Sequence, residues 1–248
     1  MMNIMADPSF FVSQLSRLPP LSAVFSGALF WRMFVRVGIA AGAFMVLLAL
    51  SWHRIGPSSV DVRMLQGYHA SSSSLTFRVA NLVSAFGSPG VVVVLGAAVA
   101  AVLWFRYRTL PWALAALAAP AIAGVGEIAL KVIVARPRPG AAALTGDGGN
   151  GFPSGHAAGF AALALVIALA VAAHSQKHRM RYLVAALIAS TAMAASRVLV
   201  GAHYPTDALA GVLLGIGVAD TVAFIATKVS ESVTPRYGNL ADTRRYLR

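Results

Sequence analysis

Long apolar stretches separated by short polar breaks dominate the chain. Runs near the roughly 20 residues that cross a bilayer predict six spans, at about 33–52, 90–105, 111–135, 155–173, 182–200 and 205–228. The breaks have chemical causes. "GSPG" (87–90) and "RYR" (106–108) bound the second span. "RPRPG" (136–140) stops the third, because proline cannot continue a helix and restricts the residue before it. Gly201 is the expected cap of the fifth span, and Pro205 suits the first turn of the sixth. Residues 53–88 read differently. They are rich in serine and glycine, and Leu75, Val79, Leu82, Val83 and Phe86 recur at helical spacing. That spacing predicts a surface amphipathic helix. "LSAVFSGALFW" (21–31) reads as an interfacial segment. The expected class is all-α, an integral membrane six-helix bundle. Its parts are a cytoplasmic or interfacial N-terminal segment (1–32), the six-span domain (33–228) and a basic cytoplasmic tail (229–248).

Composition strengthens this reading. Of the 248 residues, 58% are hydrophobic and 11% charged, against roughly 45–50% and about 25% in soluble domains. The first strong apolar run is long enough to span and lacks an obvious cleavage site, so it reads as a span rather than a signal peptide. With no cysteine, disulfides, thiolate metal sites and thiol nucleophiles are excluded. The net charge of +12 would suggest nucleic acid in a soluble protein. Here it reads as topology-setting loop charge and cations at an anionic site, and no nucleic-acid partner is expected. The N-terminal segment, the 106–108 and 177–181 loops and the tail carry thirteen of the 20 lysines and arginines. The other side carries seven, so the termini are expected in the cytoplasm. The seven outward cations then need another explanation.

Three stretches converge on that outer side: "KVIVARPRP" (131–139), "PSGH" (153–156) and "SRVLVGAHYPTD" (196–207). Ser154 is a good N-cap for the fourth span. The amides of Gly155 and His156 then lie in a first turn without intrahelical acceptors, with the helix dipole behind them. Gly155 lets a ligand approach the backbone, so the turn is an anion cradle. Lys131, Arg138 and Arg197 supply fixed donors suited to a phosphate dianion. Arg136 reads as a snorkelling interfacial cation. Asp207, in the first turn of the sixth span, reaches back toward His203. A carboxylate on one imidazole nitrogen fixes the tautomer and leaves the other as a nucleophile. Glu127 lies one helical turn before Lys131 and is expected to pair with it. Asp220, deeper in the sixth span, reads as an interhelical partner with no catalytic role. Phe152 and Tyr204 are expected to flank the site.

Lys131, six residues, Arg138-Pro139; then Pro153-Ser154-Gly155-His156; then Ser196-Arg197, five residues, His203, three residues, Asp207. In this order and spacing the chain resembles the type 2 phosphatidic acid phosphatase superfamily, whose motifs are shared with soluble acid phosphatases and vanadium haloperoxidases. The resemblance implies a two-step phosphoryl transfer without metal or cofactor. Lys131, Arg138 and Arg197 would hold phosphate oxygens, helped by Ser154 and the Gly155 amide. His203 would attack phosphorus, Asp207 would orient it, and His156 would protonate the leaving oxygen. Ser196 and Tyr204 stand as supporting residues beside Glu127. The implied substrate is a lipid phosphate or diphosphate at the outer face of the cell membrane. The alternatives are a lipid phosphotransferase, a haloperoxidase and a non-catalytic lipid-phosphate carrier. Oligomeric state is not legible in the motifs.

Overall fold

The computed structural model describes residues 27–52, 57–140, 146, 148–174 and 176–233. Eight α-helices follow in order: α1 (Gly27–Ser51), α2 (Ser59–Tyr68), α3 (Leu75–Ala85), α4 (Pro89–Tyr107), α5 (Leu110–Val134), α6 (Gly155–His174), α7 (Arg179–Leu199) and α8 (Pro205–Val233). Among the described residues there is no strand. Six of the helices, all but α2 and α3, are long and apolar enough to cross a membrane. Their outward faces carry side chains such as Ile39, Val94, Val132 and Ile188, which the protein leaves exposed and a bilayer would cover.

The predicted spans are all present, with shifted ends. α1 begins at Gly27, six residues early, because Gly27–Trp31 continues the apolar run up to Arg32. Those residues belong to the helix rather than to a separate interfacial segment. The rest of that segment, and the tail beyond Val233, lie outside the described residues. α7 begins at Arg179, three residues early. α8 continues past Lys228, which pairs with Glu231 one turn on.

Residues 53–88 hold two short helices where one was expected. Ser58 caps α2 by accepting from the Asp61 amide at 3.0 Å, and Ser74 caps α3 by accepting from the Phe77 amide at 3.1 Å. Each serine satisfies a first-turn donor, which starts a new helix. α3 turns Ala80 and Ser84 inward, packed on α7. Leu75, Val79, Leu82 and Phe86 point away from the protein and are exposed.

α6 is the hub, packed on α4, α5, α7 and α8, while α1 packs on α8. The contacts are built from small residues. Ala116, Ala119, Ala123, Ala158, Ala162 and Ala219 are buried in one cluster. With no hydrophobic drive between helices in lipid, close backbone approach supplies the attraction. Gly211 and Gly215, four residues apart on α8, show how close. A Cβ at Gly211 would lie 2.4 Å from the Ser154 carbonyl oxygen, and one at Gly215 would lie 2.7 Å from that of Ala158. Gly211→Ala is therefore expected to separate α6 from α8 at a cost of about 1–3 kcal/mol. The check is a lowered thermal midpoint in detergent, with Gly217→Ala, where a Cβ meets nothing within 4 Å, as the neutral control.

Candidate active site

The C-terminal ends of α5 and α7 and the N-terminal ends of α6 and α8 meet at one end of the bundle. Two local turns make the meeting possible. α7 ends in a Schellman motif. Gly201 adopts a left-handed φ of 74°, its amide donates to the Val198 carbonyl at 2.9 Å, and the Ala202 amide donates to the Arg197 carbonyl at 3.0 Å. The His203 amide also returns to the Arg197 carbonyl, at 3.2 Å. His203 is thereby folded back over the end of the helix that carries Arg197. At the end of α5, Ala135 takes a left-handed φ of 51° and Pro137 forces Arg136 out of helical conformation. The chain reverses and drives Arg136 inward.

His203 is buried, and its Nε2 lies 2.9 Å from Arg138 Nη1. A guanidinium only donates, so Nε2 accepts with its lone pair and the ring proton is assigned to Nδ1. Nδ1 faces Asp207 Oδ2 at 3.7 Å, longer than a hydrogen bond but within ion-pair range. Asp207 Oδ2 also accepts from the Tyr204 amide at 3.0 Å, which makes Asp207 the third-residue cap of α8. The carboxylate that caps α8 is thus also the one that faces the histidine ring. Arg138 is steadied by two further bonds, from Nη1 to the Ala202 carbonyl and from Nε to that of Gly148, both at 3.1 Å.

The cradle sits beside this pair. Ser154 immediately precedes α6 and is fully buried; its oxygen lies at 3.5 Å from the Ala157 amide. The Ser154 amide donates to the Asp207 carbonyl at 2.9 Å, which pins the first turn of α6 to that of α8. Lys131 pairs with Glu127, as its spacing predicts. The Glu127 carboxylate lies against the start of α6, since a Cβ at Gly155 would stand 2.7 Å from its Oε1. The absence of a side chain at Gly155 thus leaves room for this carboxylate. Arg197 is buried and donates to the Ser84 hydroxyl of α3. α3 also reaches the cradle through Gly87, where a Cβ would lie 3.1 Å from His156 Cβ.

The structure therefore gathers Lys131, Arg138, Ser154, Gly155, His156, Arg197, His203 and Asp207. Three further residues are placed beside this cluster. The Ser196 hydroxyl is turned onto the Met193 carbonyl of its own helix at 2.7 Å. Phe152 is fully buried against Phe44, 5.7 Å between ring centroids, and forms the floor of the loop rather than a flank of the opening. Tyr204 lies over the Arg136 guanidinium, 4.6 Å from its ring centroid. Asp220 forms the expected interhelical bond, a two-point pair with Arg36 of α1 at 2.9 and 3.0 Å.

Arg136 overturns its reading as a snorkelling cation. It is completely buried. Nη2 donates to Asp61 Oδ2 at 2.8 Å; Nη1 faces Asp207 Oδ1, the Thr206 hydroxyl at 2.7 Å and the Ser51 hydroxyl at 3.0 Å. Asp61 gathers further donors from the Thr206 amide at 3.1 Å and hydroxyl at 2.9 Å. Burial alone would raise the Asp61 carboxyl, but the Arg136 and Thr206 hydrogen bonds hold it below the ordinary carboxylate value, so it stays ionised at neutral pH. The one sequence sign of Asp61 is Ser58-x-x-Asp61, a helix-start pattern. Among the described residues, no group of three or more His, Cys, Asp or Glu is arranged to hold a metal ion.

The sequence of residues 112–229, which includes all three motif stretches, matches the family model of the PAP2 superfamily. This part of the chain belongs to the PAP2 superfamily. No curated protein matches the chain. Its structure is similar to that of a transmembrane PAP2 type phosphatidylglycerolphosphate phosphatase from Bacillus subtilis. The two share 22% identity and a TM-score of 0.70, over 81% of this chain and 98% of that one. At that identity the likeness establishes the transmembrane PAP2 fold.

Proposed function

We propose that this PAP2 protein is a lipid phosphatase that hydrolyses the phosphate or diphosphate group of a membrane lipid through a phosphohistidine on His203. One observation carries the reading. The Nε2 lone pair of a buried histidine is held by an arginine at 2.9 Å, while its other nitrogen faces a carboxylate. Such an imidazole is fixed in one tautomer with its nucleophilic nitrogen turned toward the cations.

The chemistry follows from that geometry. A phosphate entering beside Arg138 draws the guanidinium from the Nε2 lone pair onto a phosphate oxygen. Lys131, Arg197 and the first-turn amides of α6 take the other oxygens, because phosphoryl transfer depends on positioning and charge stabilisation. Nε2 attacks phosphorus, the bond to the lipid oxygen breaks, and His156 gives that oxygen a proton. The developing positive charge on the ring is compensated by Asp207. Water then attacks the phosphohistidine, His156 takes its proton, and phosphate leaves. These steps use side chains, backbone amides and water, and call for no metal.

The excess of lysine and arginine in the terminal segments and in the 106–108 and 177–181 loops supports a site facing outward from the cell membrane. The exposed apolar row of α3 suits a helix lying in the outer interface. A lipid carrying its phosphate at that level meets the cradle without leaving the bilayer. The substrates that fit are phosphatidic acid, phosphatidylglycerol phosphate, undecaprenyl diphosphate and lipid A phosphate. The similarity to a phosphatidylglycerolphosphate phosphatase puts that lipid first among them. The test is release of inorganic phosphate from this panel by purified protein in detergent with a metal chelator present. Hydrolysis is expected to persist in chelator. Phosphorylated lipid acceptor in place of free phosphate would make the protein a phosphotransferase, and no turnover of any of the four would refute the reading.

A further inference from the structure

We propose that Arg136 and Asp61 are positioning residues that fix the catalytic carboxylate Asp207, and that Arg136 is not a phosphate ligand. This rests on the phosphatase reading for its kinetic consequences, though not for its structural ones.

Arg136 lies two residues from Arg138, and both belong to the same proline-bounded stretch. Their surroundings separate them. Arg138 reaches the nucleophilic nitrogen of His203. Arg136 is turned the other way and is completely buried, with Asp61, Asp207, Ser51 and Thr206 on its terminal nitrogens and the Tyr204 ring across its face. Protein acceptors take both terminal nitrogens, and Nε, which has no hydrogen-bond partner among the described residues, is sealed from the surface with the rest of the side chain.

Its two carboxylate partners differ in kind. Asp207 Oδ1 is held by Arg136 and Oδ2 by the Tyr204 amide. With both oxygens fixed, the carboxylate cannot rotate, and Oδ2 is the oxygen presented to His203 Nδ1. Asp61 is the counterweight. It holds the second nitrogen of Arg136 at 2.8 Å and takes the amide and hydroxyl of Thr206, the residue before Asp207. It is itself set by Ser58 at the start of α2. A short extramembrane helix, the end of α1 and the first turn of α8 are therefore joined through one guanidinium. Its position decides which way the catalytic carboxylate faces. Partners of this type orient the groups that act, and their loss commonly costs about 10–100-fold.

Full-length protein in detergent is compared with Arg136→Gln and Asp61→Asn on three readouts. Turnover (kcat) is expected to fall about 10–100-fold with KM little changed. Inhibition by inorganic phosphate, which reports the cradle of Lys131, Arg138 and Arg197, is expected to be unaltered. The ¹⁵N signals of the His203 ring are expected to change from a single Nδ1–H tautomer to a mixture. Weakened phosphate inhibition with kcat preserved would make Arg136 a ligand and overturn the proposal. Unchanged kcat and unchanged ring signals would also overturn it. Should Arg136→Gln fail to fold, Asp61→Asn, which keeps the guanidinium and the side-chain shape, decides on the same criteria. A wild-type protein that hydrolyses no lipid phosphate would refute the phosphatase reading, while the ring-nitrogen comparison would still judge the positioning role.

Discussion

His203→Ala is expected to lower lipid phosphate hydrolysis on the order of 10⁶-fold, the scale on which losing a covalent nucleophile acts. The size follows from what the substitution removes and what it leaves. Gone is the imidazole whose Nε2 lone pair Arg138 holds. The cluster itself stays, because Arg138 keeps the Ala202 and Gly148 carbonyls and the backbone turn at 203 is made by amides that alanine also has. The variant is therefore expected to fold, to keep the wild-type thermal midpoint to within a few degrees, and still to bind inorganic phosphate. The diagnostic combination is retained phosphate inhibition in protein without turnover, read by phosphate release and by competition in a binding assay. Substantial hydrolysis by His203→Ala would mean that water attacks the lipid phosphate directly.

Asp207→Asn is expected to reduce kcat about 10⁴-fold, as when the orienting carboxylate of a catalytic histidine is made neutral. Asp207 accepts on both oxygens, from Arg136 on Oδ1 and from the Tyr204 amide on Oδ2. An asparagine has one acceptor oxygen and one NH₂ group, so it must turn its NH₂ toward one of these donors. With the oxygen kept on Arg136, the NH₂ faces His203 Nδ1 and donates to it. The ring proton then moves to Nε2, the nitrogen needed for attack. With the oxygen kept on Tyr204, the NH₂ meets the guanidinium and the Arg136 network loosens. Both arrangements disable the nucleophile. The expected signature is slow formation of the phosphorylated enzyme, measured by rapid quench, with little change in KM. A variant that forms phosphoenzyme at the wild-type rate would show that Asp207 serves only as the cap of α8.

The spans were legible because apolar runs and proline breaks are local signals. The clustering of the candidate site residues was legible because they sit at helix ends, where spacing along the chain fixes the end of the bundle. The Glu127–Lys131 pair is likewise local, one turn apart on α5. Arg136 was not legible for the opposite reason. Its partners Ser51, Asp61 and Asp207 are 85, 75 and 71 residues away in the chain, and no periodicity links them. An arginine beside prolines at a helix end looks the same whether it snorkels or turns inward. What decided it was the left-handed turn at Ala135, a conformation that alanine seldom takes. The division of 53–88 into α2 and α3 depended on caps at Ser58 and Ser74 within a serine-rich stretch, where many hydroxyls compete for the same role. The GxxxG-like approach of α8 to α6 was open to sequence reading as Gly211 and Gly215. Their neighbours Ser154 and Ala158, by contrast, belong to a different span.

The most direct measurement is rapid quenching of the enzyme with lipid labelled with ³²P in its terminal phosphate, followed by mapping of the labelled peptide. An acid-labile, alkali-stable adduct on His203, absent from His203→Ala and slow to appear in Asp207→Asn, is the predicted result. Product released in a burst with no label on the protein, or label on any residue other than His203, would contradict it.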